Sequence, residues 1–296
     1  MKVVLIASPY DLGREGAGMS NGPIHYLESG VENVLADRGV EVEIDTVERG
    51  GPFENEFSAV ADTNADLAGR VTRAVERGAF PLVLGGNCDS ALGTLAGIGT
   101  TGIGVVWLDA HGDFNTPDTS PSGYLAGMVL ATATGRCHQE LWSSVGNAGP
   151  SVPEAFVVAV GIRDLDPEEG QGLDGSEMHA VTASEVNAMG VEESLRPPLE
   201  DLSSRVREVY LHLDIDSLDP RHAPGVDFPA PGGLSVEDVE DTIRIVAQRF
   251  RIRAAALTAY NPDRDEDDRT LRAGTRLIGA LAEAAADSWG AKHGRG

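Results

Sequence analysis

Short apolar runs alternate with amphipathic segments along most of the chain. The runs are rich in valine, isoleucine and leucine, and they lie at residues 3–7, 40–47, 80–84, 103–108, 156–160, 179–182, 209–215 and 252–259. Nearly unbroken hydrophobic runs of this length are typical of strands that are buried on both faces of a parallel sheet. The pattern therefore predicts a mostly parallel sheet of about eight strands.

The segments between these runs carry apolar residues at helical spacing. Clear examples are residues 67–77, 236–250 and 270–285, and Ser235 with Asp238 three residues later resembles a helix-capping box. Alternating strands and helices predict a three-layer α/β fold with helices on both faces of the sheet. No linker, low-complexity stretch or repeat interrupts the 296 residues, so we expect one domain spanning residues 1–296.

Two acidic clusters, Asp109-Ala-His111-Gly-Asp113 and Asp214-Ile-Asp216, each close an apolar run. Alternate side chains of an extended strand share a face, and ligands bind at the carboxyl ends of parallel strands. Either cluster alone could cap a helix or lie in a solvated loop. Together, four converging carboxylates would repel one another unless a cation neutralised them, and oxygen ligands with one imidazole favour manganese-like ions. The clusters therefore predict a metallohydrolase with one or two metals.

The overall charge limits the partners. A formal net charge of −24 and a sequence pI near 4.5 oppose binding to nucleic acid or to an anionic membrane, so we expect a small-molecule partner. No apolar run approaches membrane-spanning length and none resembles a signal peptide, which predicts a cytoplasmic protein. Neither a GxGxxG nor a Walker loop occurs, so nucleotide cofactors have no support.

Four motifs occur in a specific order along the chain: Gly85-Gly86-Asn87-Cys88-Asp89-Ser90, Asp109-Ala-His111-Gly-Asp113-Phe-Asn115, Asp214-Ile-Asp216-Ser-Leu-Asp219-Pro220 and Ala223-Pro224-Gly225. Together they resemble the arginase (ureohydrolase) family. The resemblance implies the family's three-layer αβα fold and two manganese ions that share a bridging hydroxide. It also implies hydrolysis of a linear C–N bond in a guanidino amino acid, by default L-arginine to L-ornithine and urea.

The same resemblance assigns roles within the two acidic clusters. Asp109 and Asp214 would bridge both ions, Asp113 would complete one metal site, and His111 with Asp216 would complete the other. Two ions lower the pKa of a shared water and align it with the electrophile. As the catalytic residue, Asp113 would also orient that water or accept its proton.

Further matches concern the substrate. Asp166 and Glu169 resemble the family's acidic groups that bind an α-ammonium, and Asn115 and Ser122 match the pair that binds an α-carboxylate. Matching both ends of an amino acid favours an α-amino acid over decarboxylated agmatine. Because family members usually form trimers or hexamers, the resemblance also implies a homo-oligomer.

Cys88 departs from the family pattern because it occupies the position of the first metal-binding histidine. Sulfur is a soft ligand that manganese does not prefer. Cys88 is therefore either a thiolate ligand, better suited to zinc or iron, or an inert buried thiol beside a site that has lost its metal. The first interpretation retains two metals, and the second leaves one.

Two alanines are further departures. Ala126 replaces the family's proton-shuttling histidine, and Ala259 replaces its guanidinium-binding glutamate. Asp227 is a possible replacement anion, or else a loop carboxylate in solvent. These departures allow an enzyme that acts on a variant head group, such as a hydroxyguanidine, or a non-catalytic subunit that binds metal or an amino acid without turnover. The retained carboxylates favour an enzyme, because buried charges are costly to keep.

Overall fold

The computed structural model of the protein describes residues 1–48, 51–146 and 149–290. Its strands are β1 (Lys2–Ser8), β2 (Glu41–Thr46), β3 (Phe80–Gly85), β4 (Ile103–Leu108), β5 (Val157–Ile162), β6 (His179–Thr182), β7 (Glu208–Asp214) and β8 (Arg251–Thr258). They form one sheet in the order β2-β1-β3-β8-β7-β4-β5-β6, and every neighbouring pair is parallel. The predicted parallel sheet of about eight strands is confirmed.

Helices cover both faces of this sheet. They are α1 (Gly22–Glu28), α2 (Val31–Asp37), α3 (Glu56–Glu76), α4 (Ser90–Ile98), α5 (Val129–Thr134), α6 (Gln139–Ser144), α7 (Pro167–Asp174), α8 (Ala183–Met189), α9 (Val191–Arg205), α10 (Val236–Arg249) and α11 (Arg269–Gly290). One apolar cluster packs the sheet against α1, α2 and α8 to α11, and a second packs it against α3 to α6. Alternate strand residues enter the two clusters, which confirms the three-layer α/β fold.

Helix starts follow from local hydrogen bonds. The predicted capping box opens α10, where the Asp238 amide donates to Ser235 Oγ at 3.1 Å and the Ser235 amide donates to Asp238 Oδ2 at 3.0 Å. Helix α3 begins earlier than the apolar spacing predicted, at Glu56, because Asn55 Oδ1 accepts a hydrogen bond from the Ser58 amide at 2.9 Å. Its first turns carry too few apolar residues to reveal a helix by periodicity.

The order of the strands in the sheet brings together the loops that carry the candidate metal-binding and substrate-binding residues. Strands β3, β8, β7 and β4 are consecutive neighbours, and all run in the same direction. The segments that leave their carboxyl ends carry Cys88, Ala259, Asp214 and Asp109. Residues separated by as much as 171 positions along the chain thus share one edge of the sheet, which is the edge where open parallel sheets bind ligands.

Arg163 clamps two of these loops. Its guanidinium donates hydrogen bonds of 2.7–3.2 Å to the carbonyl oxygens of Gly161, Asp216, Ser217, Leu218 and Ala230. A guanidinium has five N–H donors in a rigid, planar arrangement, so one side chain can hydrogen-bond several carbonyls in and around the turn after β7. This clamp fixes the position of the acidic turn after β7.

Within the described residues, every helix is too short or too polar to cross a lipid bilayer.

We expect Gly93→Ala to destabilise the protein by about 1–3 kcal/mol, because α3 and α4 pack too closely there for another methyl group. A Cβ at Gly93 would lie 2.7 Å from the Asn64 carbonyl oxygen. Gly69→Ala in α3 is the matched control, since its Cβ would meet only the end of the Arg73 side chain, at 3.5 Å. That substitution should stabilise the helix by about 0.4–1 kcal/mol. Urea unfolding of both variants measures the difference, and equal midpoints would contradict the expectation.

Arg163→Lys should lower the free energy of unfolding by about 2–3 kcal/mol, because an ammonium with three donors cannot replace the guanidinium contacts to several carbonyls. Arg196→Lys is the control, since Arg196 makes an exposed ion pair with Glu193 on the same helix and its replacement should cost less than about 0.5 kcal/mol. Thermal and urea unfolding compare the two variants. Equal stability losses would show that the Arg163 contacts do not hold the loops.

Candidate metal centre and substrate cavity

One cavity of about 260 Å³ at the carboxyl edge of the sheet contains all eleven predicted site residues in its lining. They are Cys88, Asp109, His111, Asp113, Asn115, Ser122, Asp166, Glu169, Asp214, Asp216 and Asp227. The metal-type side chains come from the ends of β3, β4 and β7, and the substrate-type side chains come from the loops after β4, β5 and β7. The structure therefore brings together every residue that the sequence singled out, although their roles stay predictions.

Asp109, His111 and Asp216 form a compact group of possible metal ligands. Their ligand atoms all lie within 4.8 Å of one another, and His111 Nδ1 is 3.3 Å from Asp109 Oδ1 and 3.2 Å from Asp216 Oδ2. Backbone amides orient the carboxylates: the His111 amide donates to Asp109 Oδ1 at 2.7 Å, and the Ala110 amide donates to Asp216 Oδ1 at 3.1 Å. Two oxygens and one imidazole suit a hard or borderline divalent ion.

The carboxylates of this cluster carry more negative charge than the nearby His111 imidazole can neutralise. Burial, followed by repulsion from Asp216, raises the pKa of Asp109 to about 6. Burial and neighbouring carboxylates also raise the pKa values of Asp113 and Asp214 well above the usual range. For His111 burial would lower the pKa, but hydrogen bonds and ion pairs with Asp109 and Asp216 raise it to about 12. The site favours a positive charge at its centre, which a metal ion would supply.

Asp113 shows this need most directly. Its side chain is buried, and Oδ2 has no hydrogen-bond partner. Its backbone lies in the left-handed region, with φ of +48°, which is uncommon for a residue that is not glycine. A buried polar atom without a partner is costly, and a cation bound there would remove the cost. Asp113 and the Asp109–His111–Asp216 group therefore fit a metal ion.

Cys88 lies against the same carboxylates. Its Sγ donates to Asp214 Oδ2 at 2.8 Å and lies 3.5 Å from Thr258 Oγ1. Burial, and then the charges of Asp214, Asp113 and Asp109, raise the pKa of the thiol well above its usual range. Without a cation the sulfur is therefore a protonated thiol. Its position agrees with the expected metal-facing location, but the softness of sulfur does not fit manganese.

Three of the four predicted binding groups for the amino-acid end are linked by hydrogen bonds to one another or to the neighbouring backbone. Asn115 Nδ2 donates to Asp166 Oδ2 at 3.0 Å. Glu169 is buried, and its two carboxylate oxygens accept from the amides of Phe114 at 3.0 Å and Asp166 at 3.3 Å. Ser122 is exposed at the cavity rim. This arrangement places acceptors for an ammonium beside donors for a carboxylate, as the single Cα of an amino acid requires.

The reactive side of the cavity is less polar. Ala126 and Ala259 both line it, so neither a proton carrier nor an anion stands at those two positions. Asp227 is not a free loop carboxylate, because Oδ1 accepts from Asn261 Nδ2 at 2.7 Å and pairs with Arg264 at 2.6 Å. This ion pair already neutralises the anion that could have replaced the missing glutamate.

Two aromatic residues line this part of the site. Tyr124 lines the cavity, and its hydroxyl accepts from Asn87 Nδ2 at 2.7 Å. Phe228 also lines the cavity, is 49% exposed, and packs against Tyr124 at 5.5 Å between ring centroids. His138 instead packs against Phe57, and it is not among the lining residues. Of these two neighbours of Ala126 in the sequence, Tyr124 and His138, only Tyr124 is therefore among the residues that line the cavity.

His212 is a residue at this site that the sequence reasoning missed. It is fully buried in β7, stacks on Trp107 at 3.6 Å between ring centroids, and lies with Cys88 and Asp109 in a second group of possible metal ligands. Burial lowers its pKa to about 3, so the imidazole is neutral. The sequence contained a signal for this residue. His212, Asp214 and Asp216 are each two residues apart, so the alternation that groups the two aspartates on one face of the strand also includes His212.

Comparisons with known proteins identify the family. The model described as "Arginase family" matches residues 1–283. Arginase from Bacillus caldovelox is 35% identical over 291 residues, which cover 94% of this chain and 97% of that protein. The crystal structure of Bacillus subtilis arginase matches with a TM-score of 0.86 and 34% identity, over 95% of this chain and 98% of that one.

A more distant match is Entamoeba histolytica arginase in complex with L-ornithine, with a TM-score of 0.83 and 28% identity. It covers 95% of this chain and 98% of that chain. The family model, the sequence relatives and the solved structures thus agree over nearly the whole length. The protein is a member of the arginase family.

Proposed function

We propose that the protein is a metal-dependent hydrolase that cleaves a linear C–N bond of a guanidino amino acid, by default L-arginine to L-ornithine and urea. The observation that carries this proposal is the buried Asp113 oxygen without a partner, next to Asp109, His111 and Asp216 at the base of the cavity. A purely structural carboxylate cluster would be expected to have its oxygens satisfied. We further infer that residues 1–296 act as one domain, because a single sheet takes strands from residue 2 to residue 258.

The metal-binding roles would be assigned to residues of the chain as follows. Asp109 and Asp214 would bridge two metal positions, Asp113 would complete one, and His111 with Asp216 would complete the other. Bound ions supply a water of lowered pKa and polarise the electrophile. Manganese suits the Asp109–His111–Asp216 group, whereas Cys88 leaves the identity of the second ion, or its presence, open.

Asp113 would hold the attacking water and accept its proton. The water oxygen would form a bond to the guanidinium carbon, the bond from that carbon to the side-chain nitrogen would break, and the proton that Asp113 accepted would pass to the leaving nitrogen. Asp166 and Glu169 would bind the α-ammonium, while Asn115 and Ser122 would bind the α-carboxylate. The bound L-ornithine in the Entamoeba histolytica relative supports an amino acid of this kind.

Ala126, Ala259 and the paired Asp227 favour one variant of this function. A head group that is less basic than guanidinium, such as a hydroxyguanidine, needs neither the dedicated carboxylate nor the same proton delivery. The same residues also support the alternative of a non-catalytic subunit that binds metal or an amino acid. The expected homo-oligomer, trimeric or hexameric, and the cytoplasmic location stay predictions.

The test of the proposal is release of urea or hydroxyurea from L-arginine, N-hydroxy-L-arginine and agmatine by protein loaded with manganese or zinc. We expect turnover of at least one of the two amino acids and none of agmatine, which lacks the α-carboxylate. If no compound is hydrolysed while an amino acid raises the melting temperature, the hydrolase proposal fails and the non-catalytic subunit is supported. If no compound is hydrolysed or bound, both fail.

Asp113→Asn should lower kcat/KM for the best substrate by at least about 100-fold, because the amide cannot accept the proton of the attacking water. Asp118→Asn is the matched control, since Asp118 is exposed in the same loop and is not among the cavity-lining residues. Steady-state urea release compares the two variants, and circular dichroism checks that both are folded. Unchanged activity of Asp113→Asn would overturn its catalytic role.

Ala259→Glu should lower KM for L-arginine by about 10- to 100-fold, because a carboxylate at this position can pair with the guanidinium in a buried site. Ala259→Gln is the control, since it has nearly the same size without the charge. Steady-state kinetics with L-arginine and N-hydroxy-L-arginine measure the effect. Equal KM values for the two variants would mean that the head group does not approach Ala259.

A further inference from the structure

We propose that Cys88, Asp109 and His212 form a binding site for a thiophilic divalent cation of the zinc type, in which the strand residue His212 supplies an imidazole nitrogen. The Sγ, a carboxylate oxygen and a ring nitrogen all lie within 4.8 Å of one another, and all three residues are buried. This assignment concerns metal binding in the proposed enzyme, but it does not depend on turnover.

Distances suit a small tetrahedral ion after small side-chain movements. Zinc binds sulfur at about 2.3 Å and nitrogen or oxygen at about 2.0–2.2 Å, so its ligand atoms lie roughly 3.3–3.8 Å apart. The observed atoms lie within 4.8 Å of one another. Asp214 Oδ2, which is 2.8 Å from Cys88 Sγ, is close enough to supply a fourth ligand. One thiolate, one imidazole and carboxylate oxygens form a ligand set that zinc accepts and that manganese does not prefer.

Hydrogen-bond contacts indicate which nitrogen of His212 can bind a metal. Tyr210 Oη lies 2.9 Å from His212 Nδ1, so that nitrogen is already occupied by a hydrogen bond. Nε2 is therefore the nitrogen assigned to the ion, and in the metal-bound imidazole the single proton belongs on Nδ1, where the Tyr210 oxygen can accept it.

Nε2 faces the interior of the site rather than solvent. It lies 3.4 Å from Thr258 Oγ1, and the same hydroxyl lies 3.5 Å from Cys88 Sγ. The stack on Trp107 fixes the plane of the imidazole, and Trp107 Nε1 also donates to Asp109 Oδ2 at 3.1 Å. Trp107 and Tyr210 thus orient two of the three ligands, as supporting residues do at histidine-containing metal sites.

The unpartnered Asp113 Oδ2 is a second, independent sign of a missing cation beside Cys88. Ion binding is balanced by loss of one proton: the S–H bond of Cys88 breaks, a sulfur–metal bond forms, and the proton passes through Asp214 to solvent. No electrons are transferred. Asp109 belongs both to this group and to the group with His111, so it can bridge a zinc-type ion and a harder ion.

Cobalt(II) is the probe, because it occupies zinc sites and shows a near-ultraviolet charge-transfer absorption when a thiolate is a ligand. We expect this absorption in the wild-type protein, its loss in Cys88→Ser, and its retention in the control Cys137→Ser, whose cysteine is half-buried outside the group. His212→Phe keeps a ring that can stack on Trp107 and removes the nitrogen. It should weaken cobalt binding beyond the roughly 10- to 100-fold that loss of a supporting residue costs.

If the variants fail to fold, a measurement on the wild-type protein alone can still test whether sulfur binds the ion. Zinc X-ray absorption of the fully loaded protein should show one sulfur at about 2.3 Å together with nitrogen and oxygen ligands. A zinc shell without sulfur, or cobalt binding that is unchanged in His212→Phe, would overturn the proposal. Because both readouts are independent of urea release, an inactive protein with a sulfur-bound ion would disprove hydrolysis and leave this site standing.

Discussion

Buried negative charge at the carboxyl ends of the neighbouring strands β4 and β7 is the constraint on which the rest of the structure depends. Among the described residues, the ion pairs recorded for Asp109, Asp113, Asp214 and Asp216 are with His111 alone. Arg163 passes close by, yet its hydrogen bonds go to backbone carbonyls and not to these carboxylates. The arginine therefore shapes the turn and leaves the carboxylate oxygens for a cation.

The two ends of the cavity differ in chemistry. The end that would bind an amino acid has linked donors and acceptors, with Asn115 bonded to Asp166 and Glu169 fixed by backbone amides. The reactive end has Ala126 and Ala259, and the pairing with Arg264 neutralises Asp227. Polar groups are thus retained where an amino acid would be held, and they are reduced where the bond would break. Such a division fits a changed head group better than general decay of the site.

Much of this arrangement could be predicted from the sequence, because its signals are local. Apolar runs gave the strands, and the i, i+2 spacing of acidic residues gave the metal-type cluster. The Arg163 clamp could not be predicted, because five carbonyls from three separate segments carry no signature in side-chain sequence. The pairing of Asp227 with Arg264 was hidden for a similar reason, since it joins two loops 37 residues apart. Spacing along the chain does not reveal which loops meet.

His212 differs from these cases. Its spacing from Asp214 is visible in the sequence, but the spacing alone does not indicate that His212 could bind a metal. A single polar residue in a buried strand is more often a satisfied core residue than a ligand, and only its contacts with Trp107 and Tyr210, and its closeness to Cys88, change that judgement. The family relationship predicts a histidine in the loop after β3. The structure places the nearest neutral imidazole two strands away in the sheet, on a more rigid support than a loop.

The Arg163 clamp also has a consequence for biosynthesis. The chain emerges from the ribosome amino terminus first, and domains generally fold as units. Cys88 and the cluster around Asp109 are synthesised well before the carbonyl of Ala230 that the clamp requires. Strand β8, which separates β3 from β7, comes later still. The growing chain therefore cannot complete the edge that carries these side chains until nearly all of the sheet is made.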